Sequence, residues 1–135
     1  MNSNLAKSLP NLLLVENHGP LRSFWSEQLG ELGFTVTTAE SGDRAQTVIQ
    51  SGTRVDVLFS DIRMPGHLDG LQLARWVRQH YPWILVVLQT GSLDDLPKEF
   101  LVLRKPFTAS DFLRCLQEAL QAREPLVPSG SNRKA

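Results

Sequence analysis

The sequence predicts an α/β protein in which a five-stranded parallel sheet is covered by helices on both faces. Short apolar runs alternate along the chain with longer amphipathic stretches, which is the pattern of consecutive β–α–β units. The apolar runs also lack the polar alternation of half-exposed strands, as expected of strands buried on both sides. The predicted strands cover residues 11–16, 34–39, 55–61, 83–90 and 100–105.

The first two segments between the strands carry helix start and stop signals. Pro20 suits the opening position of one helix and Gly33 its end. Ser41 can cap a second helix, which Gly52 ends. In the first helix the residues predicted to face inward recur at helical spacing and are Leu21, Phe24, Trp25, Leu29 and Leu32. Both segments are therefore predicted to pack on the sheet as helices.

The third and last helices are predicted by the same signals. Asp69 can cap a helix that Pro82 stops, and residues 108–122 form the final helix. Trp76 falls off the apolar stripe of the third helix and is expected to be an exposed contact. The residues predicted to face inward are Leu71, Ala74, Val77 and Tyr81 in the third helix and Phe112, Leu116, Ala119 and Leu120 in the last.

The composition restricts the classes of function. The 135 residues suffice for one domain with a core, and 14 basic side chains balance 14 acidic ones. A general electrostatic attraction to nucleic acid or anionic lipid is therefore not expected. The single cysteine, Cys115, excludes an internal disulfide and a Cys-based zinc site and fits a reducing compartment. Because no signal peptide or membrane span is recognisable, a cytoplasmic location is expected.

Polar side chains follow the apolar run at four of the five predicted strands. They are Glu16 and Asn17 after the first strand, Asp61 at the third, Thr90 at the fourth and Lys105 at the fifth. Because the carboxyl ends of parallel strands line one edge of a sheet, these groups are expected to converge on one crevice. Each alone has an ordinary explanation as a turn former, a helix cap or a surface residue. Together they favour a functional site.

Four short motifs carry a resemblance to a known family. They are LLVEN at the end of the first strand, DIRMPGHLDG from Asp61 to Gly70, TG at 90–91 and KPF at 105–107. With these motifs, residues 9–122 resemble the receiver domain of two-component response regulators. The resemblance implies a flavodoxin-like, doubly wound sheet with the strand order 2-1-3-4-5. Residues 1–8 are expected to be a disordered N-terminus and residues 123–135 a polar tail or linker.

The resemblance assigns roles to individual residues. Asp61 matches the phosphoacceptor, Thr90 the hydroxyl that responds to the phosphoryl group, and Lys105 the lysine that pairs with it. The resemblance further implies Mg²⁺, which neutralises charge on the transferring phosphoryl group. The metal ligands that it implies are Glu16, Asn17, Asp61 and the backbone carbonyl of Arg63. The peptide bond between Lys105 and Pro106 is expected to be cis.

The chain departs from the family pattern at three points. Asn17 is neutral where the family has an acidic pair, and this predicts a weakened Mg²⁺ site, because an amide oxygen can bind the ion but carries no charge. Only 15 positions separate Thr90 from Lys105, about two helical turns fewer than is common in the family. The helix between the fourth and fifth strands is therefore expected to be short or absent. Val102 occupies a switch position that is commonly aromatic, so the signalling surface is expected to be altered.

Three functions remain open on the sequence. The first is a stand-alone receiver that receives its phosphoryl group from a sensor histidine kinase or a histidine phosphotransfer protein. Such a receiver is not an enzyme beyond promoting its own phosphorylation and dephosphorylation. It would have no output domain, would signal to an unknown protein as a monomer or homodimer, and would contact neither nucleic acid nor membrane.

The second open function is a degenerate receiver that acts as a phosphorylation-independent interaction module. The third is a small α/β binder or hydrolase, such as a flavodoxin-like FMN protein. Two features argue against the third. The strand-to-helix loops lack a phosphate cradle rich in Gly, Ser and Thr, and the DIR sequence lacks the second aspartate of the haloacid-dehalogenase pair.

Overall fold

The five strands form one parallel sheet in the order β2-β1-β3-β4-β5, which confirms the predicted fold class and strand order. The computed structural model describes residues 10–92 and 96–123. Its strands are β1 (Asn11–Val15), β2 (Thr35–Ala39), β3 (Val57–Asp61), β4 (Leu85–Thr90) and β5 (Leu101–Arg104). Its helices are α1 (Gly19–Glu31), α2 (Gly42–Gln50), α3 (Gly70–His80) and α4 (Ala109–Arg123). The predicted disordered N-terminus lies outside the described residues, as does the predicted tail beyond residue 123.

The sheet separates two hydrophobic clusters, because successive strand residues point to opposite faces. One of them, the α2–α3 cluster, joins Leu13, Leu58 and Leu88 of the central strands to α2 and α3. The other, the α1–α4 cluster, joins Phe59 and Val87 to α1 and α4. Each face is therefore covered by two helices, as the unbroken apolar runs predict.

The predicted helix caps are confirmed. The Ser41 hydroxyl accepts a hydrogen bond of 3.0 Å from the third residue of α2. Asp69 and Gln72 form a reciprocal capping box at the start of α3, each side chain accepting from the other residue's backbone N–H at 2.8 and 2.9 Å. Gly33 and Gly52 follow α1 and α2 with φ angles of 109° and 94°, a left-handed backbone that glycine adopts without strain. None of the described helices is long and apolar enough to cross a membrane.

Three residues predicted to face inward are exposed instead. The side chains of Phe24, Leu32 and Leu120 are 50%, 38% and 46% exposed. Phe24 lies roughly 120° around α1 from the buried stripe of Trp25 and Leu29, and Leu120 lies roughly 90° from the buried stripe of α4. Leu32 comes after the last residue of α1. A helix on a small sheet thus buries a narrower stripe than its apolar residues suggest.

The inward face of α3 also differs from the prediction. Leu73 is fully buried together with Ala74 and Val77, whereas Leu71 is only partly buried. The prediction that Trp76 is an exposed contact is wrong, because the indole is half-buried against the α2–α3 cluster. Its ring centroid lies 5.3 Å from that of Tyr81. Since Tyr81 is the C-cap residue of α3, the aromatic pair packs the end of this helix.

The chain passes from β4 to β5 without a helix in the described residues 91–92 and 96–100, which confirms the expectation of a short or absent helix. The second half of this connection contacts α3 instead. The Arg78 guanidinium lies 4.0 Å from the centre of the buried Phe100 ring, and Arg75 pairs with Glu99 at 3.0 Å. Both arginines are exposed on the surface of α3 and hold this connection against the helix.

Candidate functional site

The carboxyl ends of the strands are level, so the side chains that follow them meet in one place. The register pairs Val15 with Ser60, Asp61 with Gln89, and Thr90 with Arg104. A crevice of about 440 Å³ opens at this edge. Its lining residues are Asp61, Arg63, Thr90, Gly91, Ser92 and Lys105. The crevice therefore contains most of the polar residues that the sequence places at the strand ends.

Asp61 is the buried last residue of β3, and each of its two carboxylate oxygens accepts a hydrogen bond. One oxygen, Oδ2, accepts a hydrogen bond of 3.0 Å from Lys105 Nζ, and Oδ1 accepts one of 3.3 Å from the backbone N–H of Arg63. The start of α3 packs directly on the backbone here, since a Cβ at Gly70 would overlap the Asp61 carbonyl group. Gly70 thus lets α3 begin close to the carboxylate, which explains why glycine follows the helix cap.

Glu16 is the second carboxylate of the site and is more deeply buried, with 2% exposure. Its Oε2 accepts a hydrogen bond of 3.1 Å from the backbone N–H of His18, and its Oε1 lies 3.6 Å from Lys105 Nζ. Lys105 therefore bridges the two carboxylates from β1 and β3, and one positive charge is shared between two negative ones. Buried carboxylates require such a partner, because burial removes their hydration.

Thr90 and Lys105 line the same crevice and are also connected by a backbone hydrogen bond. The backbone N–H of Lys105 donates to the Thr90 carbonyl oxygen at 2.8 Å. The Thr90 hydroxyl is buried and accepts a hydrogen bond of 3.1 Å from the N–H of Ser92. The Lys105–Pro106 peptide bond is cis. Both side chains line the crevice.

Asn17 is exposed beside the buried Glu16, at the turn between β1 and α1. The next residue, His18, caps α1, since its Nδ1 accepts a hydrogen bond of 3.3 Å from the backbone N–H of Leu21. Arg22 of the same helix donates to the Glu16 carbonyl oxygen at 2.8 Å. The turn is thus fixed at several points, and Asn17 is an exposed residue within it.

The donor set fits a hard divalent cation of the Mg²⁺ class. Within the described residues, Glu16 Oε1 is a buried carboxylate oxygen without a hydrogen-bond partner, so it retains the capacity to bind a cation. Asp61, the Asn17 amide oxygen and the Arg63 carbonyl would complete an all-oxygen set. No three His, Cys, Asp or Glu side chains cluster within residues 10–92 and 96–123, so such a set contains only two carboxylates.

Sequence reasoning missed Gln89. This residue precedes Thr90 in β4, is fully buried, and is the register partner of Asp61. The available signal was a single amide in the otherwise apolar run WILVVLQT. Val102, the predicted switch position, is half-buried and packs on the α2–α3 cluster. It lies one strand away from Thr90 on the edge strand β5.

Comparison with known proteins identifies the class of the molecule. The family model of the response regulator receiver domain matches residues 12–117. The chain therefore belongs to the response regulator receiver family of two-component signalling, as the motifs and the fold indicate.

Individual relatives support the same assignment. The chain is 35% identical over 101 residues to the DNA-binding transcriptional regulator NtrC of Salmonella typhimurium, covering 64% of this chain but only 21% of NtrC. A receiver protein from Sinorhizobium medicae superimposes with a TM-score of 0.73 at 28% identity and covers 87% of this chain and 98% of its own. The response regulator TrrA from Thermotoga maritima, solved in complex with Mg²⁺–BeF, superimposes with a TM-score of 0.72 at 26% identity. The match covers 82% of this chain and 99% of the TrrA chain.

Proposed function

We propose that Asp61 accepts a phosphoryl group from a sensor histidine kinase or a histidine phosphotransfer protein, in a Mg²⁺-dependent reaction. The observation that carries this proposal is the Lys105 ammonium, 3.0 Å from Asp61 and 3.6 Å from Glu16 at the base of an open crevice. A buried carboxylate beside a fixed cation and an open space is suited to attack an incoming phosphoryl group. Membership of the receiver family supports the same chemistry.

In the proposed reaction an Asp61 carboxylate oxygen attacks the phosphorus of a phosphohistidine. The new O–P bond forms as the P–N bond breaks, and the electron pair of that bond leaves with the imidazole nitrogen. Lys105 stabilises the charge on the phosphoryl oxygens. Glu16, Asn17, Asp61 and the Arg63 carbonyl would hold Mg²⁺, which when bound neutralises phosphoryl charge. The neutral Asn17 weakens this site in the proposal.

The proposed signal begins at Thr90, whose buried hydroxyl turns from the Ser92 N–H toward the phosphoryl group. Output then occurs by contact with another protein, through a surface that differs from the usual one. Val102 offers no aromatic ring that could rotate, and the connection from β4 to β5 packs on α3 through Phe100 and Arg78. In this proposal the chain is a cytoplasmic signalling protein that promotes only its own phosphorylation and dephosphorylation.

The test is incubation with acetyl phosphate or a phosphoramidate in the presence of Mg²⁺. We expect an acid-stable, alkali-labile adduct with one added phosphoryl mass, absent from Asp61→Asn. Asp56→Asn is the matched control, because Asp56 precedes the amino end of β3, at the opposite edge of the sheet from Asp61. An adduct that survives in Asp61→Asn, or is lost in Asp56→Asn while that variant remains folded, contradicts the proposal.

A second candidate function is a receiver that binds its partner without being phosphorylated. The neutral, exposed Asn17 favours it, because the acidic set of the site is reduced to two carboxylates. Absence of an adduct in the wild type at high Mg²⁺, with Asp61 intact, would select this function over the first.

A further inference from the structure

Arg22 of α1 makes a contact that the proposed reaction does not use. Its guanidinium donates a hydrogen bond of 2.8 Å to the backbone carbonyl oxygen of Glu16, one of the proposed cation ligands. Arg22 is half-buried near the start of α1, and the first turn of this helix carries no acidic residue. A positive side chain is disfavoured near a helix N-terminus, which carries partial positive charge itself. The contact with Glu16, rather than the helix, therefore accounts for an arginine at this position.

The carbonyl oxygen that Arg22 contacts belongs to the peptide group between Glu16 and Asn17. A peptide group is planar, so a donor that fixes its carbonyl also fixes the N–H and the Cα of the next residue. The side chain of Arg22 thus sets the orientation of the link between two proposed cation ligands. Because the donor is charged, this hydrogen bond is shorter and stronger than one from a neutral group.

Other hydrogen bonds hold the same turn at its two ends. The backbone N–H of Glu16 donates to the Ala39 carbonyl oxygen at 3.0 Å, and Glu16 Oε2 accepts from the His18 N–H at 3.1 Å. The backbone N–H of Arg22 donates to the His18 carbonyl oxygen at 2.9 Å. Removal of the Arg22 side chain would leave these contacts in place and would release the Glu16 carbonyl from its guanidinium donor. The role of the guanidinium can therefore be tested apart from the fold of the turn.

We propose that Arg22 is a positioning residue that holds Glu16 and Asn17 in the orientation in which their side-chain oxygens bind a divalent cation. The inference rests on the cation site of the proposed function and adds no covalent step to it. Residues that orient metal ligands without touching the metal contribute strongly to metal affinity. Because the Asn17 amide carries no charge, its contribution depends on where its oxygen is placed.

The charge of Arg22 has an effect of the opposite sign. A guanidinium next to the turn repels a divalent cation, so loss of its charge alone would tighten Mg²⁺ binding. Salt screens this repulsion, because the Debye length falls from about 10 Å at 0.1 M to about 3 Å at 1 M ionic strength. Any repulsion that escapes screening still opposes the positioning effect. Weaker Mg²⁺ binding after loss of the guanidinium can therefore not arise from its charge.

The test compares wild type with Arg22→Met, which removes every donor of the side chain but keeps an unbranched apolar stem. Arg44→Met is the matched control, because Arg44 is an exposed arginine near the start of α2, the helix that follows β2 at the same edge of the sheet. Two quantities are measured. The first is the affinity for Mg²⁺ at ionic strengths of about 0.1 M and 1 M. The second is the rate at which the His18 amide exchanges with water in metal-free protein, measured by NMR.

We expect Arg22→Met to bind Mg²⁺ about tenfold more weakly than wild type at high ionic strength, as for loss of a residue that orients a metal ligand. The loss should be smaller at low ionic strength, where the removed repulsion offsets part of it. The His18 amide should exchange several-fold faster, because its acceptor, the Glu16 carboxylate, is no longer held in one orientation. Arg44→Met should match wild type in both measurements at high ionic strength.

Three results would overturn the inference. They are an affinity of Arg22→Met for Mg²⁺ equal to or above that of wild type at high ionic strength, an unchanged exchange rate of the His18 amide, and an equal loss of affinity in Arg44→Met. A wild type that binds Mg²⁺ but forms no adduct with acetyl phosphate contradicts the proposed phosphoryl transfer and leaves the role of Arg22 in cation binding intact. A wild type that binds no Mg²⁺ refutes both.

Discussion

Replacing Asn17 by aspartate adds one negative charge to a site whose charge is set by three groups. Two carboxylates, Glu16 and Asp61, face one ammonium, Lys105, which leaves one net negative charge for a divalent cation. Asn17→Asp doubles that net charge at the edge of the crevice. The substitution keeps the size of the side chain and its ability to form the turn before α1.

The size of the effect follows from where Asn17 lies. At 4 Å, two unit charges attract by about 1 kcal/mol in bulk water and about 4 kcal/mol at an effective dielectric constant of 20. Asn17 is exposed whereas Glu16 and Asp61 are buried, so the new charge falls between these limits. Repulsion from the two existing carboxylates offsets part of the gain. We therefore expect Mg²⁺ to bind about 10- to 100-fold more tightly, or about 1.4 to 2.8 kcal/mol.

The assay is a Mg²⁺ titration followed by tryptophan fluorescence. Trp25 is a suitable reporter, because its ring stacks on Phe107 with centroids 4.8 Å apart, two residues beyond Lys105. Gln79→Glu supplies the charge control, since it adds the same charge at an exposed position near the far end of α3. The reasoning fails if Asn17→Asp binds Mg²⁺ within twofold of wild type, or if wild type already binds with micromolar affinity.

Three further predictions concern stability and reactivity. Gly70→Ala should lower the free energy of unfolding in urea by about 2 kcal/mol or more, because its Cβ would overlap the β3 backbone. Gly30→Ala should raise it by about 0.5–1 kcal/mol, because the added Cβ meets no neighbouring element within 4 Å. A change of the same sign in both variants would contradict this reasoning. Burial raises the pKa of Asp56, but hydrogen bonds from Asn11 and a nearby guanidinium outweigh it and lower the pKa overall, so the ionised form stabilises the fold above pH of about 4. Asp56→Asn should therefore cost about 1–2 kcal/mol at pH 7, with the difference shrinking as the pH falls below about 4, and a constant difference would refute this cause. Burial, with a nearby carboxylate, raises the pKa of the Cys115 thiol, so native protein should react slowly with a thiol reagent at pH 8 and rapidly in urea; equal rates would mean an accessible thiol.

Local rules allowed much of the fold to be predicted. The helix caps at Ser41 and Asp69 follow from side-chain oxygens that satisfy nearby backbone N–H groups, an interaction contained within four residues. The meeting of Asp61 and Lys105 follows from a rule of equal simplicity, that parallel strands end at the same edge. The sequence therefore predicts that the two side chains share one crevice. It does not predict the distance of 3.0 Å between Lys105 Nζ and Asp61 Oδ2, which depends on packing.

The burial of individual helix residues could not be predicted in the same way. A helical stripe identifies the apolar side, but its buried width depends on how the helix lies on the sheet. Phe24 and Leu120 are apolar and lie next to buried positions, yet both face solvent. Leu73 is fully buried although Leu71 had appeared to be the better candidate. These differences arise from packing between elements, which no window of sequence contains.

Asn17 and Gln89 illustrate two kinds of departure from expectation at one site. A neutral residue at an acidic position can be recognised from sequence alone, because its effect is a missing charge. The significance of Gln89 depends on the absence of a partner within the described residues, which only the packed structure reveals. Both are amides on opposite sides of Asp61, one exposed next to Glu16 and one buried in β4.

The position of Asn17 implies that it acts on cation binding, before the phosphoryl transfer of the proposed chemistry. Asn17 lies at the open edge, where it affects the affinity for the cation before any phosphoryl group arrives. Gln89 lies buried in β4 beside Asp61 and has no hydrogen-bond partner within the described residues. In the proposed function such a receiver acquires a phosphoryl group slowly at low Mg²⁺, because the cation that neutralises phosphoryl charge binds a site with one carboxylate fewer.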